Sequence, residues 1–352
     1  MERERPFVLG IETSCDDTAA AVVDGGGRVL SAVVSSQLAA HRPYGGVVPE
    51  IASREHLANW LPVSGEALAR AGLDFADFDL VAATRGPGLI GSLLVGLSLG
   101  RALAWGLGKP FRGVHHLEGH LYSPFLTVDG TPAAGIPERF VGLVVSGGHT
   151  ALYEVDGAAV RTLAETRDDA MGEVFDKIGK RLGLPYPQGP RVDELAELGD
   201  PRRFPLALAR CSDGSLDFSY SGLKSQTLVE LERLEAAGVA SRLDETTAPQ
   251  EILDLLAGFR AAAVEQLVDR LARLADDRPY PLLAVSGGVA ANRLLRRRLA
   301  VWAAERGVDL RLVALAYAGD NAAMIAHAAL LAHRRGLSDD PLAVDAASRI
   351  AL

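Results

Sequence analysis

The chain has only two cysteines, Cys15 and Cys211, in 352 residues. So few cannot make a disulfide scaffold, and they suit a reducing compartment, which points to the cytoplasm. Basic residues are outnumbered by acidic ones, 36 to 45, and the net charge of -9 argues against a surface that is evenly attractive to polyanions. No uninterrupted hydrophobic run reaches the length of a membrane span. The most apolar stretch, residues 89–107, carries Arg101, two serines and several glycines, which predicts a buried helix rather than a bilayer segment. The apolar or glycine run before Glu12 is only five residues long, Phe7 to Ile11, too short for a signal-peptide core, so secretion is not expected. Neither GxxxxGK[ST] nor GxGxxG occurs at any glycine turn, which disfavours the P-loop and Rossmann readings.

What is present describes a packed globular protein: 48% of residues are hydrophobic and 23% charged, with no low-complexity segment. The length exceeds what one hydrophobic core usually fills, so two lobes are expected. Basic residues cluster locally, in "RLLRRRL" at 293–299 and "HRR" at 333–335. A solvated helix face is the commoner meaning of such runs, and they leave contact with RNA open.

The chain also resembles itself. "TAAAVVDG" at 18–25 returns as "TALYEVDG" at 150–157. The first follows "FVLGIETSCDD" and the second follows "FVGLVVSGGH", so each half opens as strand, small-residue turn, strand, Asp-Gly turn. Apolar strands then alternate with helical segments, as in "DLVAATRGPG" before "SLLVGLSLGRALAWGLG". That alternation predicts sheets covered by helices in two α/β lobes, residues 1–125 and 126–330. A cleft-lining insertion is expected at about 185–248, and the segment 331–352 either returns to the first lobe or hangs loose.

Three glycine turns follow strands directly: "GPGLIGS" at 86–92, "SGGHT" at 146–150 and "SGGVAANR" at 286–293. Glycine lets backbone N–H groups approach an anion, and a helix start adds its dipole, so each turn is a candidate phosphate cradle. Strand-to-helix turns also need glycine for conformation alone. Asp176, Asp193 and Asn292 stand near these turns. Singly each reads as a helix-surface or capping residue; together they suit nucleotide hydroxyls or a cation.

The most pointed feature is "HHLEGH" at 115–120. His116 and His120 are four residues apart and share a helical face, so both can offer a ring nitrogen to one ion. Two donors are half a site. Asp320, in "YAGDNAAMIA", sits at a strand-to-helix junction and is the candidate third donor, leaving a position open for substrate. A zinc peptidase reads HExxH, and here that glutamate position is Leu117, so Glu118 has the wrong spacing.

"GIETSCDDT", "YGGVVPEIASREH", "GPGLIGSLLVG", "HHLEGHLYSP", "VSGGHT", "DDAMGEVFDKIGK", "FSYSGLKS", "SGGVAANRLLR" and "GDNAAMIA" occur in this order across residues 7–335. In sequence and spacing they resemble the bacterial tRNA threonylcarbamoyladenosine biosynthesis (TsaD) family, formerly labelled glycoprotein endopeptidases. The resemblance implies a duplicated two-lobe α/β fold of the actin-like and Hsp70-like ATPase kind, with a nucleotide cleft between lobes. It implies transfer of a threonylcarbamoyl group from threonylcarbamoyl-adenylate to the exocyclic amine of the adenine 3′ to the anticodon, in tRNAs reading codons that begin with A.

Carried over, the metal ligands are His116, His120 and Asp320, holding iron or zinc. The contacts to the adenine nucleotide, threonylcarbamoyl-adenylate or ATP, fall on Val144, Val145, Ser146, Gly147, Gly148, Asp176, Gly189, Asp193 and Asn292. Glu12 and Asp16 correspond to acidic positions tied to activity. The general base stays open among Glu12, Asp16, Glu173 and the phosphate itself. The implied partners are tRNA, a paralogous subunit of the same fold (TsaB-like), a small ATPase (TsaE-like) and an adenylate-forming enzyme, with no membrane.

The chain departs from the family pattern at "QGP", 188–190, where GGP is usual, at Ala318–Gly319 before Asp320, and in its ending "VDAASRIAL". A metallopeptidase and a non-catalytic nucleotide-binding scaffold are the competing readings.

Overall fold

The computed structural model describes residues 3–127, 135–211, 213–243 and 248–352. The chain forms two compact units, one from Met1–Ile136 with Val313–Leu352 and one from Pro137–Leu312.

The first unit runs β1 (Val8–Glu12), β2 (Asp17–Val23), β3 (Val29–Ser36), α1 (Leu38–His41), α2 (Pro49–Ala71), β4 (Leu80–Gly86), α3 (Ile90–Leu107), β5 (Phe111–His115) and α4 (His116–Tyr122). Its sheet order is β3-β2-β1-β4-β5, with β2 antiparallel to both neighbours and β4 and β5 parallel to β1. All five residues of β1, "VLGIE", are buried, as a central strand covered on both faces requires.

Alternation sorts its side chains. Leu9 and Ile11 join Trp60 of α2, Leu97 of α3 and Val81 and Ala83 of β4 in the core, so Gly10 and Glu12 point to the opposite face.

The second unit repeats this plan with β6 (Arg139–Val145), β7 (Thr150–Asp156), β8 (Ala159–Glu165), α5 (Met171–Arg181), α6 (Gln188–Ala196), α7 (Ser221–Ala236), α8 (Gln250–Asp277), β9 (Leu282–Ser286), α9 (Arg293–Arg306) and β10 (Asp309–Leu312). Its order, β8-β7-β6-β9-β10, matches the first sheet strand for strand in direction as well as position. The two similar octapeptides fall on β2 and β7, the second strand of each copy. The duplicated α/β architecture expected from the sequence is present. Of the insertion expected at about 185–248, residues 212 and 244–247 lie outside the described residues; the rest includes α6 and α7.

The last helix, α10 (Ala322–Arg334), packs on β1 and β2 of the first unit. The crossing therefore comes at residue 313, where the sequence places it near 330. The reason is a close approach. A Cβ on Gly10 would lie 2.2 Å from the Ala322 carbonyl oxygen, so the backbone of α10 rests on the one side-chain-free position of β1.

The final segment also belongs to this unit. Val344 enters the core, Ala347 N–H donates to the Arg85 carbonyl, and Ser348 carbonyl accepts from Gly88 N–H. Helix α3 buries one stripe, including Leu93, Gly96, Leu97, Gly100 and Ala104, and leaves Ile90, Leu94 and Trp105 exposed. It is long and apolar enough to cross a membrane by length and composition; in the structure the helix expected to be buried packs one face into the first unit and leaves the other exposed.

Candidate metal centre and nucleotide pocket

In the first unit, α4 starts at the end of β5, with His115 as its N-cap: the His115 Nδ1 accepts from Leu117 N–H at 3.2 Å, and its Nε2 meets the Ile350 carbonyl at 3.1 Å. The next turn carries both predicted histidines on one face. Gly119 lies between them because α4 packs on α10 there, where a Cβ would come within 2.9 Å of Ile325 Cδ1 and 3.1 Å of Met324 Cγ. At the head of α10, Asn321 ties the approaching loop. Its Oδ1 accepts from Met324 N–H at 3.0 Å, and its Nδ2 donates to the carbonyls of Tyr317 at 3.1 Å and Gly319 at 2.8 Å. Asp320 is held in that loop.

The outcome is a convergence of three donors separated by up to 204 positions in sequence (320 − 116). Asp320 Oδ1 lies 3.1 Å from His120 Nε2 and 3.5 Å from His116 Nε2, and the three donor atoms fall within 4.8 Å of one another. Bonds of 2.0–2.2 Å to a tetrahedral ion put neighbouring donors about 3.4 Å apart, so the spacing fits a single ion with little adjustment. Two imidazoles and one carboxylate suit zinc with an open position, or iron as a facial triad.

The electrostatics call for a cation. Burial disfavours a charged His116, yet the Asp320 and Glu12 carboxylates overcome this and push its pKa up to about 9. Asp17 is pushed up to about 7 by burial and by the negative charges of Asp320, Asp16 and Glu12, against a hydrogen bond from Ser36.

Glu12 is fully buried. It takes Ser14 N–H at 2.5 Å, Thr84 Oγ1 at 2.6 Å and His116 Nδ1 at 3.1 Å. Burial pushes its carboxyl up, and the His116 imidazole outweighs that and holds it below the usual carboxylate range. Asp16 is half-buried beside Cys15, whose thiol it engages, and it is not one of the three donors. Glu118 is half-buried, with the charges of Arg112, Arg335 and Arg85 acting on it, and it is not one of the three donors.

The second unit holds a cavity of about 390 Å³, within the range of small-molecule sites. Five of the nine predicted nucleotide contacts line it: Gly147, Asp176, Gly189, Asp193 and Asn292. Phe175 and Pro187 add apolar wall, and Gly288 and Arg293 complete the rim beside α9. Val144 and Val145 are wholly buried in β6, and Ser146 closes the glycine turn by pairing with His149; none of the three lines the cavity. Gly148 is exposed on the same turn and does not line the cavity.

The polar lining is cross-braced. Asp176 accepts from Gly189 N–H at 2.7 Å. Asp193 accepts from Asn292 Nδ2 at 2.7 Å, Arg260 Nη1 at 3.0 Å and Arg293 N–H at 3.3 Å. Asn292 Oδ1 meanwhile caps α9 through Leu295 N–H at 2.9 Å. Asp193 and Asn292 thus join α6 to α9 as well as facing the cavity. Buried Arg260, which sequence reasoning missed, locks α8 to α6 through Asp193 and Glu197; only its neighbours in three dimensions distinguish it from a surface arginine. Glu173 is in this unit too, where its carboxylate takes Ala170 N–H and pairs with Lys177 at 2.9 Å.

One glycine turn does not act as predicted. In "GPGLIGS" the Gly88 N–H is taken by the Ser348 carbonyl at 3.3 Å and the Leu89 N–H by the Ser14 carbonyl at 2.8 Å. Those two amides anchor the terminal segment and the β1–β2 turn and are not free to cradle a phosphate.

Comparison with known proteins agrees across nearly the whole length. Residues 28–327 match the pattern of the family described as tRNA N6-adenosine threonylcarbamoyltransferase (TsaD). A protein of that name from Pelobacter propionicus is 50% identical over 321 residues, 91% of this chain and 90% of that one. Another from Syntrophobacter fumaroxidans is 48% identical over 345 residues, covering 97% and 99% of the two chains. Among solved structures, HypF of T. kodakarensis superposes with a TM-score of 0.62 at 15% identity, over 97% of this chain and 50% of HypF, a likeness of fold alone.

Proposed function

The chain belongs to the tRNA N6-adenosine threonylcarbamoyltransferase family, and from that membership we infer that it transfers a threonylcarbamoyl group to N6 of an adenosine in tRNA. We propose in addition that the donor is threonylcarbamoyl-adenylate, that the acceptor is the adenine 3′ to the anticodon in tRNAs reading codons that begin with A, and that an iron or zinc ion held by His116, His120 and Asp320 assists.

The observation that carries the metal assignment is the meeting of two imidazole nitrogens and one carboxylate oxygen from chain segments about two hundred residues apart. The adenine amine is a weak nucleophile because its lone pair is delocalised into the ring, so the acyl donor must be activated and held in register. A divalent ion held by His116, His120 and Asp320 would supply Lewis acidity to activate the acyl donor.

The protein's own residues do the rest. His116, His120 and Asp320 fix the centre. In the second unit, Phe175 and Pro187 offer apolar surface to the adenine, Asp176 and Asp193 suit ribose hydroxyls, and the backbone at Gly147 suits the phosphate. Asp16 is the only one of the three acidic candidates that combines partial exposure with a place in the metal-bearing unit, and it is the proposed proton acceptor.

The partners proposed are a same-fold subunit, a small ATPase and an adenylate-forming enzyme, in the cytoplasm where tRNA is modified. Leu57 and Leu61 on α2 and Ile90, Leu94 and Trp105 on α3 are exposed apolar positions suited to the same-fold subunit.

The test is reconstitution with those partners, tRNA, ATP, threonine and bicarbonate, read by nucleoside mass spectrometry. Modified adenosine is expected with the unaltered chain and none with His116→Ala. Normal modification by His116→Ala would remove the metal from the reaction, and glycoprotein cleavage with no change in tRNA would restore the peptidase reading.

A further inference from the structure

We propose that Glu12 is a positioning residue of the metal centre rather than its acid–base catalyst: it grips Nδ1 of His116 so that Nε2 is presented as a ligand. The inference rests on the metal reading above.

The geometry leaves Glu12 no other task. Its carboxylate is wholly shielded from solvent, and three hydrogen bonds occupy it, from Ser14 N–H, Thr84 Oγ1 and His116 Nδ1. A base must reach the proton it removes within hydrogen-bond distance; this one is enclosed.

Its surroundings are also stiff. Glu12 ends β1, which pairs on one side with β2 and on the other with β4, the strand that carries Thr84. Alternation sends Glu12 out on the face where α10 lies against Gly10. The carboxylate is therefore fixed to the sheet while the ring it holds is fixed to α4.

The chemistry follows from what each group can do. An ionised carboxylate only accepts, so the proton lies on Nδ1 and the lone pair on Nε2. Ser14 Oγ, 3.2 Å from the same Nδ1, braces the ring from the β1–β2 turn. His116 Nε2 is the atom that faces Asp320 Oδ1.

His120 lacks this support: its Nδ1 is buried without a hydrogen-bond partner among the described residues. The two ligands are thus unequal. Charge agrees as well, since the Asp320 and Glu12 carboxylates together balance one divalent ion, and burying either without a counter-charge is costly. A carboxylate behind a ligating imidazole orients the ring and raises its basicity, and loss of such partners typically costs 10–100-fold in metal affinity.

The experiment measures Zn²⁺ and Co²⁺ affinity by competition with a chromophoric chelator, together with the Co²⁺ absorption spectrum, on the purified full chain and on Glu12→Gln, Glu12→Ala and Thr84→Val. Unfolding midpoints on the metal-free proteins check the fold. Glu12→Ala is expected to bind roughly 10–100-fold more weakly. Glu12→Gln, whose amide oxygen still accepts from Nδ1–H, should lose less and shift the Co²⁺ spectrum, and Thr84→Val should lose least. Folded Glu12 variants with unaltered metal affinity and spectrum, but no transfer activity, would overturn the proposal and return Glu12 to the role of base. Failure of the unaltered chain to bind either ion would overturn the metal reading itself, and this inference with it.

Discussion

Histidine does three different jobs in the first unit, set by what lies within hydrogen-bond reach of each ring. His116 sits among carboxylates, which favour its charged form. His115 caps a helix. His327 on α10 is wholly enclosed, and burial, aided by the charge of Arg334, pushes its pKa down to about 4 despite a backbone hydrogen bond at Tyr122.

That last value has a measurable consequence. The unfolded chain takes up this proton near pH 6.5 and the folded protein only near 4, so the stability contribution is complete above 6.5 and is lost as the pH falls toward 4. His327 alone should account for about 2 kcal/mol of loss between pH 7.5 and 5. Urea unfolding at the two pH values should show the difference, and His327→Leu should reduce it by that amount; an unchanged difference would mean that His327 is already charged in the folded state.

At this scale the sequence was legible where spacing alone decides. Histidines four apart on a short helix announce a shared face. Glu12 was visible as an acidic residue near other acids, but its burial and its grip on His116 arise from a strand pairing that no local pattern reveals.

Helix α10 and strand β1 are the elements on which the proposed metal centre depends. Gly10 lets α10 settle onto the sheet, and α10 carries Asp320 at its head. In Gly10→Ala the new methyl would meet a backbone oxygen at 2.2 Å, which cannot move cheaply. A loss of about 1–3 kcal/mol in stability is expected, with weaker metal binding because Asp320 moves with the helix. Gly119→Ala is the milder comparison: its methyl meets side-chain atoms, the end of Ile325 at 2.9 Å and Met324 Cγ at 3.1 Å, and the gain in helix propensity of about 1 kcal/mol partly offsets that crowding, so a smaller loss is expected than for Gly10→Ala. Thermal unfolding and chelator competition on the two variants separate these outcomes; equal behaviour would mean that the α10–β1 contact does not set the position of Asp320.

The strands themselves were easy to read, because buried central strands write themselves as short apolar runs bounded by glycine and aspartate. The boundary near residue 330 was misplaced for a physical reason. The pattern of α10 says only that it has an apolar face, and the partner for that face is declared by a single glycine more than three hundred positions earlier. The turn at 86–92 differs for a similar reason: its glycines are real, but the Gly88 amide is taken by Ser348 of the terminal segment and the Leu89 amide by Ser14, contacts that have no local signature.

For the whole molecule, duplication is the organising fact. Two copies of one sheet topology diverged so that one carries the His–His–Asp centre and the other the nucleotide-sized cavity. The repeated octapeptide made this legible, while the placing of the donor cluster in one copy and the cavity in the other is visible only in the structure. The exposed apolar positions on α2 and α3 carry a prediction at this scale. Leu61→Asp with Leu94→Asp should weaken association with the same-fold subunit by at least about tenfold, measured by sedimentation or calorimetry, while metal affinity stays at the unaltered value. Undiminished association would move the partner to another surface.

The central claim is that His116, His120 and Asp320 hold one ion. Anomalous diffraction from crystals grown with the native metal, collected on both sides of the iron and zinc edges, tests it most directly. One peak within bonding distance of both Nε2 atoms and Asp320 Oδ1 is the expected result. Metal-loaded crystals with the anomalous density elsewhere, or with the three side chains turned away from one another, would contradict it.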